Sequence, residues 1–153
     1  MSRFDRYMAI PYRDHGRSFD GADCFGVCLL ILAHEAGIGL ADPNVSYGAD
    51  PNAVVATVEA EIASGRWQRI AEGDGAAVKR QAQLFDLVVM SGHMRRGMAV
   101  VNADLHIGIC IGNGRLIHSE SESGCSCVAF DDPAIVRRVK AVYRPQALVR
   151  SAA

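Results

Sequence analysis

No stretch of this chain is long and apolar enough to span a bilayer. The longest apolar run, Phe25 to Ala33, is far shorter than the roughly 20 residues a membrane helix needs. The N-terminus, Met1-Ser2-Arg3-Phe4-Asp5-Arg6, leads into no apolar segment of the signal-peptide kind. The expectation is a protein made and folded in the cytoplasm, for which any action outside the cell needs a carrier. An excess of charge is absent too: 16 Lys and Arg against 17 Asp and Glu leave −1 at pH 7. Basic residues are scattered apart from short pairs such as Arg95-Arg96 and Arg137-Arg138, which argues against a nucleic-acid surface. Repeats, low-complexity tracts and linkers are missing. The five cysteines are an odd number, which speaks against a disulfide framework and for reduced thiols. Neither a Cys-x2-Cys pair nor a His-x3-His spacing occurs. Cys125 and Cys127, two apart on an expected strand, suit tetrahedral zinc poorly even with His93, His106 and His118 available. No metal, cofactor, nucleic acid or membrane partner is expected.

What is present suits one globular unit over residues 1–153. Half of the residues are hydrophobic and 22% are charged, enough for a core without staples. Residues 1–22 are polar and turn-rich. Asp23 then looks like a helix N-cap, and Phe25 to Ala33 is apolar nearly all round, as in a buried central helix that Gly37 stops. A second helix is expected from Asp50-Pro51, with Val54, Val58 and Ile62 as its buried stripe and Gly65 at its end. Beyond it, strands are expected at Trp67 to Ile70, Leu84 to Met90, Met98 to Val101 and His106 to Ile111. Leu116 to Ser119, Val128 to Phe130 and Val136 to Tyr143 follow, with a solvated loop from Ser91 to Gly97 that holds Arg95 and Arg96. Helices first and strands after give an α+β class with an antiparallel sheet.

Two features bear chemistry. Cys24 opens the buried helix, where unpaired N–H groups and the helix dipole favour a thiolate. Cys28, one turn deeper, is assigned to the core. In the second feature, Ile107, Ile109 and Ile111 alternate with His106, Gly108 and Cys110, and Gly112-Asn113-Gly114 signals a tight turn into a partner strand. A two-residue loop would put His106 and His118 on opposite faces. A three-residue loop pairs Ile111 with Arg115, Ile109 with Ile117 and Gly108 with His118 and puts both histidines on one face, and this register is the one expected. Gly108 is expected to admit the helix closely and bring Cys24 to His106. Acyl-transfer logic then makes Cys24 the nucleophile and His106 its base, with His118 orienting His106 and the Cys24 N–H facing the oxyanion.

Three blocks resemble the NlpC-type cell-wall cysteine peptidases. Gly21-Ala22-Asp23-Cys24-Phe25-Gly26 is similar to their Gly-x-Asp-Cys-(Ser/Trp)-Gly nucleophile block. Phe85-Asp86-Leu87-Val88-Val89 is similar to their Gly-Asp-Leu-Val strand. His106-Ile107-Gly108-Ile109 through Gly112-Asn113-Gly114 to Ile117-His118 is similar to their histidine hairpin. The resemblance implies a compact papain-like domain, with the nucleophile at a buried helix N-terminus packed on a C-terminal antiparallel sheet. It implies Cys24, His106 and His118 as the catalytic set, and Tyr12 with Asp23 on the substrate and oxyanion side. The chain departs from the pattern at Phe25 for Ser, Phe85 for Gly, and His15-Gly16-Arg17 for Trp-Gly-Gly. An aromatic residue after the cysteine resembles the short members of phage tails and gene transfer agents. The implied substrate is a peptidoglycan stem peptide, cut at an isopeptide bond between D-glutamate and a diamino acid, with phage-like tail proteins as partners. An amidase or acyltransferase using the same residues, and a structural tail-tip protein with a dormant site, are the alternatives.

Overall fold

Asp23 starts the central helix. Its backbone is extended, and its side chain accepts the Gly26 N–H at 2.7 Å, so the cap expected there is present. Helix α1, Cys24–Ile31, follows, and a π-helical turn, Leu32–Ala36, extends it to Gly37, which ends it at a φ of 67°. The structure, a computed structural model, describes residues 2–42, 44, 56, 59–96 and 99–151. A 3-10 turn at Asp5–Tyr7 and a small hairpin, β1 (Arg17–Ser18) with β2 (Gly21–Ala22), precede α1. The expected helix start at Asp50-Pro51 lies outside the described residues, as do Val54 and Val58. Residues 59–63 are helical (α2), and Gly65 follows at a φ of 77°.

The remaining strands are β3 (Trp67–Glu72), β4 (Leu87–Arg96), β5 (Ala99–Gly112), β6 (Arg115–Glu120), β7 (Gly124–Ala129) and β8 (Val139–Pro145). They form one antiparallel sheet in the order β3-β8-β4-β5-β6-β7. Two short helices complete the fold, α3 (Gly75–Val78) and α4 (Gln146–Ser151). The α+β expectation holds, with two corrections. The two strands expected at Met98 to Val101, of which Met98 lies outside the described residues, and at His106 to Ile111 are one strand, β5, from Ala99 on. Arg95 and Arg96 are not in a loop but on β4, opposite Val100 and Ala99. The cause is a register shift between Met90 and Gly92, which absorbs the irregularity and lets the ladder resume beyond it.

Both faces of the sheet are covered. On one face, Phe25, Val27, Cys28 and Ile31 of α1 pack with Leu87, Ile107, Ile109, Ile117 and Tyr143. On the other, Val88, Met90, Cys110, Leu116 and Val142 pack with Val78 of α3, Phe130 and Ile135. Two-sided burial explains why neighbouring strand positions are apolar where a half-exposed sheet would alternate. It also corrects the expectation for Gly108. A Cβ there would lie 2.8 Å from Leu116 Cδ1 and 3.2 Å from Met90 Cε, so Gly108 relieves the face away from α1. The helix rests on the isoleucines at 107 and 109 instead.

The β5–β6 hairpin matches neither simple loop. Ile109 faces Ile117 and Cys110 faces Leu116, the register expected for a three-residue loop, but Gly112, and not the expected Ile111, faces Arg115. Only Asn113 and Gly114 remain in the turn, at φ values of 53° and 68°, as a tight two-residue turn of the I′ type requires. The extra residue is absorbed as a bulge between Cys110 and Gly112, with Gly112 itself at 87°.

Candidate active site

The register brings the histidines together. His106 Nε2 lies 2.9 Å from His118 Nδ1, with the rings nearly perpendicular at 86°. Both are buried, His106 at 8% exposure and His118 at 2%. Ser126 Oγ, on β7 opposite His118, lies 3.3 Å from its other ring nitrogen, Nε2. A run of Ser126, His118 and His106 therefore fixes both rings by their nitrogens. Burial pushes the His118 pKa below its ordinary value; the Arg138 charge pushes the same way and Glu120 opposes. His118 is thus favoured as a neutral ring. A neutral ring protonated on Nε2 has a bare Nδ1, the acceptor His106 Nε2–H needs.

Helix α1 packs against β5 and β6, the strands that hold the two histidines. Cys24 is its first residue and is 3% exposed. The approach to Cys24 is tied to the histidine end of the sheet. Ser119, between His118 and Glu120, donates its hydroxyl to the Ala22 carbonyl at 2.8 Å. The Cys125 N–H reaches the Ile10 carbonyl at 3.1 Å, which holds the segment before Tyr12 against β7. Tyr12 is half-buried, and its hydroxyl pKa is pushed up to about 12, by burial first and then by the charges of Asp14, Cys24 and Asp23. It therefore stays protonated within electrostatic reach of the thiol. Cys28 donates its thiol to the Cys24 carbonyl at 3.2 Å, and burial raises its pKa well above normal, as a core cysteine should be.

Asp23 has a different place from the substrate-side one expected. It is wholly buried, and its carboxylate is occupied by the Gly26 N–H, by the His15 N–H at 3.1 Å and by Arg17 Nη1 at 2.7 Å. A carboxylate so enclosed positions the helix and has no face left for a substrate. Arg17 also offsets the negative charge beside Cys24 that would otherwise disfavour a thiolate. Arg17 was not singled out in the sequence, although it stands in the altered Trp-Gly-Gly block. Its guanidinium lies 5.8 Å from the ring centre of Phe25, so two of the departures from the family pattern meet each other. Gly16 is retained for a steric reason, since a Cβ there would lie 2.3 Å from the Gly21 carbonyl oxygen.

Sequence reasoning also missed Ser119, Ser126, Glu120 and Arg138. The serines and Glu120 are signalled only by closeness to His118 across or along a strand; Arg138 has no local signal. Among the described residues, His106, His118 and Glu120 are the one group whose donor atoms lie close enough to hold a metal, within 4.8 Å of one another. Those atoms are engaged already: the rings bond each other, and Arg138 Nη2 lies 2.6 Å from Glu120 Oε1, where its charge opposes a cation. Cys125 is buried and Cys127 half-buried on β7, where Arg115 Nε donates to Cys127 Sγ at 3.2 Å.

The NlpC/P60 family model matches residues 9–144, a span that includes Tyr12, Cys24, His106 and His118. No curated protein sequence matches the chain. Among solved structures, a lipoprotein-like NLP/P60 family protein from Staphylococcus aureus is similar with a TM-score of 0.54 and 20% identity, over 92% of this chain and 38% of that one. The NlpC/p60 domain of the peptidoglycan hydrolase SagA gives 0.52 and 16% identity, over 91% of this chain and 90% of that one. The chain spans well under half the length of the Staphylococcus protein and 36% of that of an NlpC/P60 family protein from Bacillus cereus. At these identities the structural likeness speaks for the fold, and the match over 9–144 speaks for the family: the chain belongs to the NlpC/P60 family.

Proposed function

We propose that this chain is a cysteine hydrolase of peptidoglycan stem peptides, with Cys24 as nucleophile, His106 as base and His118 as the residue that orients it. The observation behind this reading is the hydrogen-bonded, buried pair of imidazoles on the two strands against which the Cys24 helix packs. His106 Nε2 is turned to His118, which leaves Nδ1 as the ring atom that serves the thiol. Cys24 gives its proton to that nitrogen and attacks the amide carbonyl. The oxyanion faces the N–H groups at the start of α1. His106 then protonates the leaving amine, and water, activated by the same ring, releases the acyl group from sulfur. Membership of the family and the likeness to the NlpC/p60 domain of the peptidoglycan hydrolase SagA support peptidoglycan as the substrate. The scissile bond on this reading joins D-glutamate to a diamino acid. Delivery in a phage-like particle is the setting that the Phe25 variant of the nucleophile block suggests.

Digestion of purified muropeptides, read by mass spectrometry, tests the reading. Release of fragments cut within the stem peptide is expected from the native protein. Cys24→Ser and His106→Ala should abolish it, and His118→Ala should slow it by roughly 100- to 10,000-fold, the range of a misoriented catalytic base. Fragments cut instead between sugar and peptide would mean an amidase. Undiminished cleavage by Cys24→Ser would end the cysteine mechanism.

A further inference from the structure

Glu120 and Arg138 stand beside the two imidazoles and have no place in the scheme above. Glu120 ends β6, two residues from His118 and on the same side of the strand. Its Oε1 lies 3.7 Å from His118 Nδ1 and 3.9 Å from His106 Nε2, the two nitrogens that face each other. The same oxygen lies 2.6 Å from Arg138 Nη2. Arg138 comes from the far side of the sheet order, just before β8, and its side chain is 8% exposed. Its Nε donates to the Ser91 carbonyl at 3.0 Å, which fixes the guanidinium where β4 shifts register. Among the described residues Nη2 has no hydrogen-bond partner of good geometry, and the Glu120 charge is what it meets. A buried cation held by a backbone carbonyl and one half-buried carboxylate is costly unless the pair has a use.

We propose that Arg138 and Glu120 are positioning residues for the imidazole pair, and that their ion pair decides which ring bears the positive charge. His118 can accept from His106 Nε2–H only while its Nδ1 is bare. A proton on that nitrogen would set two N–H groups against each other at 2.9 Å and turn His106 out of line. Arg138 opposes charge on His118, and Glu120, whose carboxylate oxygen lies 3.7 Å from His118 Nδ1 and 3.9 Å from His106 Nε2, keeps a counter-charge within reach of both rings for the moment when His106 takes up the thiol proton. Either member alone would be harmful. Glu120 without Arg138 would draw protons onto both rings, and Arg138 without Glu120 would disfavour the imidazolium that the reaction needs. The charges that act on His118 are those of Glu120 and Arg138; on the α1 side Asp14, Cys24 and Asp23 act on Tyr12, and Arg17 meets Asp23. Of these, Arg17 and Asp23 offset each other.

This role in turnover rests on the proposed hydrolase reading, but its test does not. Imidazole proton signals of His106 and His118 are followed by NMR against pH in the native protein, Glu120→Gln, Arg138→Gln and the double variant. The midpoints of the pair should move to lower pH in Glu120→Gln and to higher pH in Arg138→Gln, and return close to native in the double variant, in which both charges are gone. The acid limb of kcat/KM, where a protonated imidazole can no longer serve as base, should move in the same directions. Arg138→Lys, which keeps the charge, should titrate like the native protein and serves if Arg138→Gln does not fold. Midpoints that stay in place, or move the same way in Glu120→Gln as in the double variant and in Arg138→Gln, overturn the proposal. A chain in which Cys24 is needed for cleavage while the midpoints do not respond would lose this inference and keep the hydrolase; opposite shifts in a chain without cleavage would do the reverse.

Discussion

His118 is nearly closed off from water, and its burial has a consequence for stability as well as for chemistry. Its folded pKa lies below the ordinary value near 6.5 because burial disfavours the imidazolium. Above pH 6.5 neither the folded nor the unfolded chain protonates it. As pH falls through about 6.5, the unfolded chain takes up the proton and the folded one does not, so stability present above that value is lost toward the folded pKa. Urea denaturation between pH 8 and 5 should show this decline, and His118→Asn should flatten it. At the same scale, Cys24 and Cys28 show why residue type alone says little. Both are buried, and both are cysteines of one helix. What separates them is that one opens the helix and the other lies a turn inside it, its thiol given to a backbone carbonyl. That contrast was legible in the sequence, because it depends on a cap and a count of residues. The engagement of Asp23 by Arg17 was not, since the partner lies six residues upstream on a hairpin that the sequence does not announce.

Helix α1 makes a sharp test of local preference against packing. Gly26 lies within its first turn, where alanine is ordinarily favoured over glycine by about 1 kcal/mol. Here a Cβ would lie 2.0 Å from the Gly16 carbonyl oxygen, inside any allowed contact. Gly26→Ala should therefore destabilise the protein by about 1–3 kcal/mol, the usual cost of overpacking, and displace the 16–22 segment that delivers Asp23. Chemical denaturation decides between the two signs. The strands illustrate how far pattern reading goes. Their approximate positions were legible from apolar runs and turn residues. The continuity of β5 was not, because Asn102 and Asp104 look like loop residues when pairing partners are unknown. The β5–β6 register was half legible: Ile109 opposite Ile117 followed from the expected face-sharing of the histidines, whereas the bulge that makes it possible has no signature beyond an extra glycine.

At the scale of the molecule, one buried ion pair joins the pieces of sheet that set the site. Asp86, wholly buried, accepts Arg144 Nε and Nη2 at 2.8 Å each and the Gln83 N–H at 2.8 Å, while its backbone carbonyl receives the Cys110 N–H. It thereby ties the start of β4 to β8 and to β5. Arg144→Ala should leave a buried carboxylate uncompensated and cost about 3–5 kcal/mol, measurable by urea denaturation, with a matching loss of the ordered histidine pair. Next to it, Phe85 occupies the family's glycine position at a φ of 71° and packs edge-on against Phe4, with the Arg3 guanidinium 5.4 Å from its ring centre. The backbone still needs what glycine supplies, and the aromatic contact is what holds a larger residue there. The two-layer burial of the sheet was the least legible feature. A sequence pattern reports that neighbouring residues are apolar, but not which layer each one meets, and so Gly108 was assigned to the wrong face.

Ile111 is the spare residue of the histidine hairpin. Removing it would leave Cys110 opposite Leu116, Gly112 opposite Arg115 and the two-residue turn intact, and the ladder would become regular with both histidines still on one face. Removing Asn113 or Gly114 would dismantle the turn instead. The hairpin can thus shorten by one residue at one place and keep its site. When relatives differ by one residue between the two histidines, the gap belongs at Ile111 and not at the glycine turn, where an alignment guided by likeness of residues would put it.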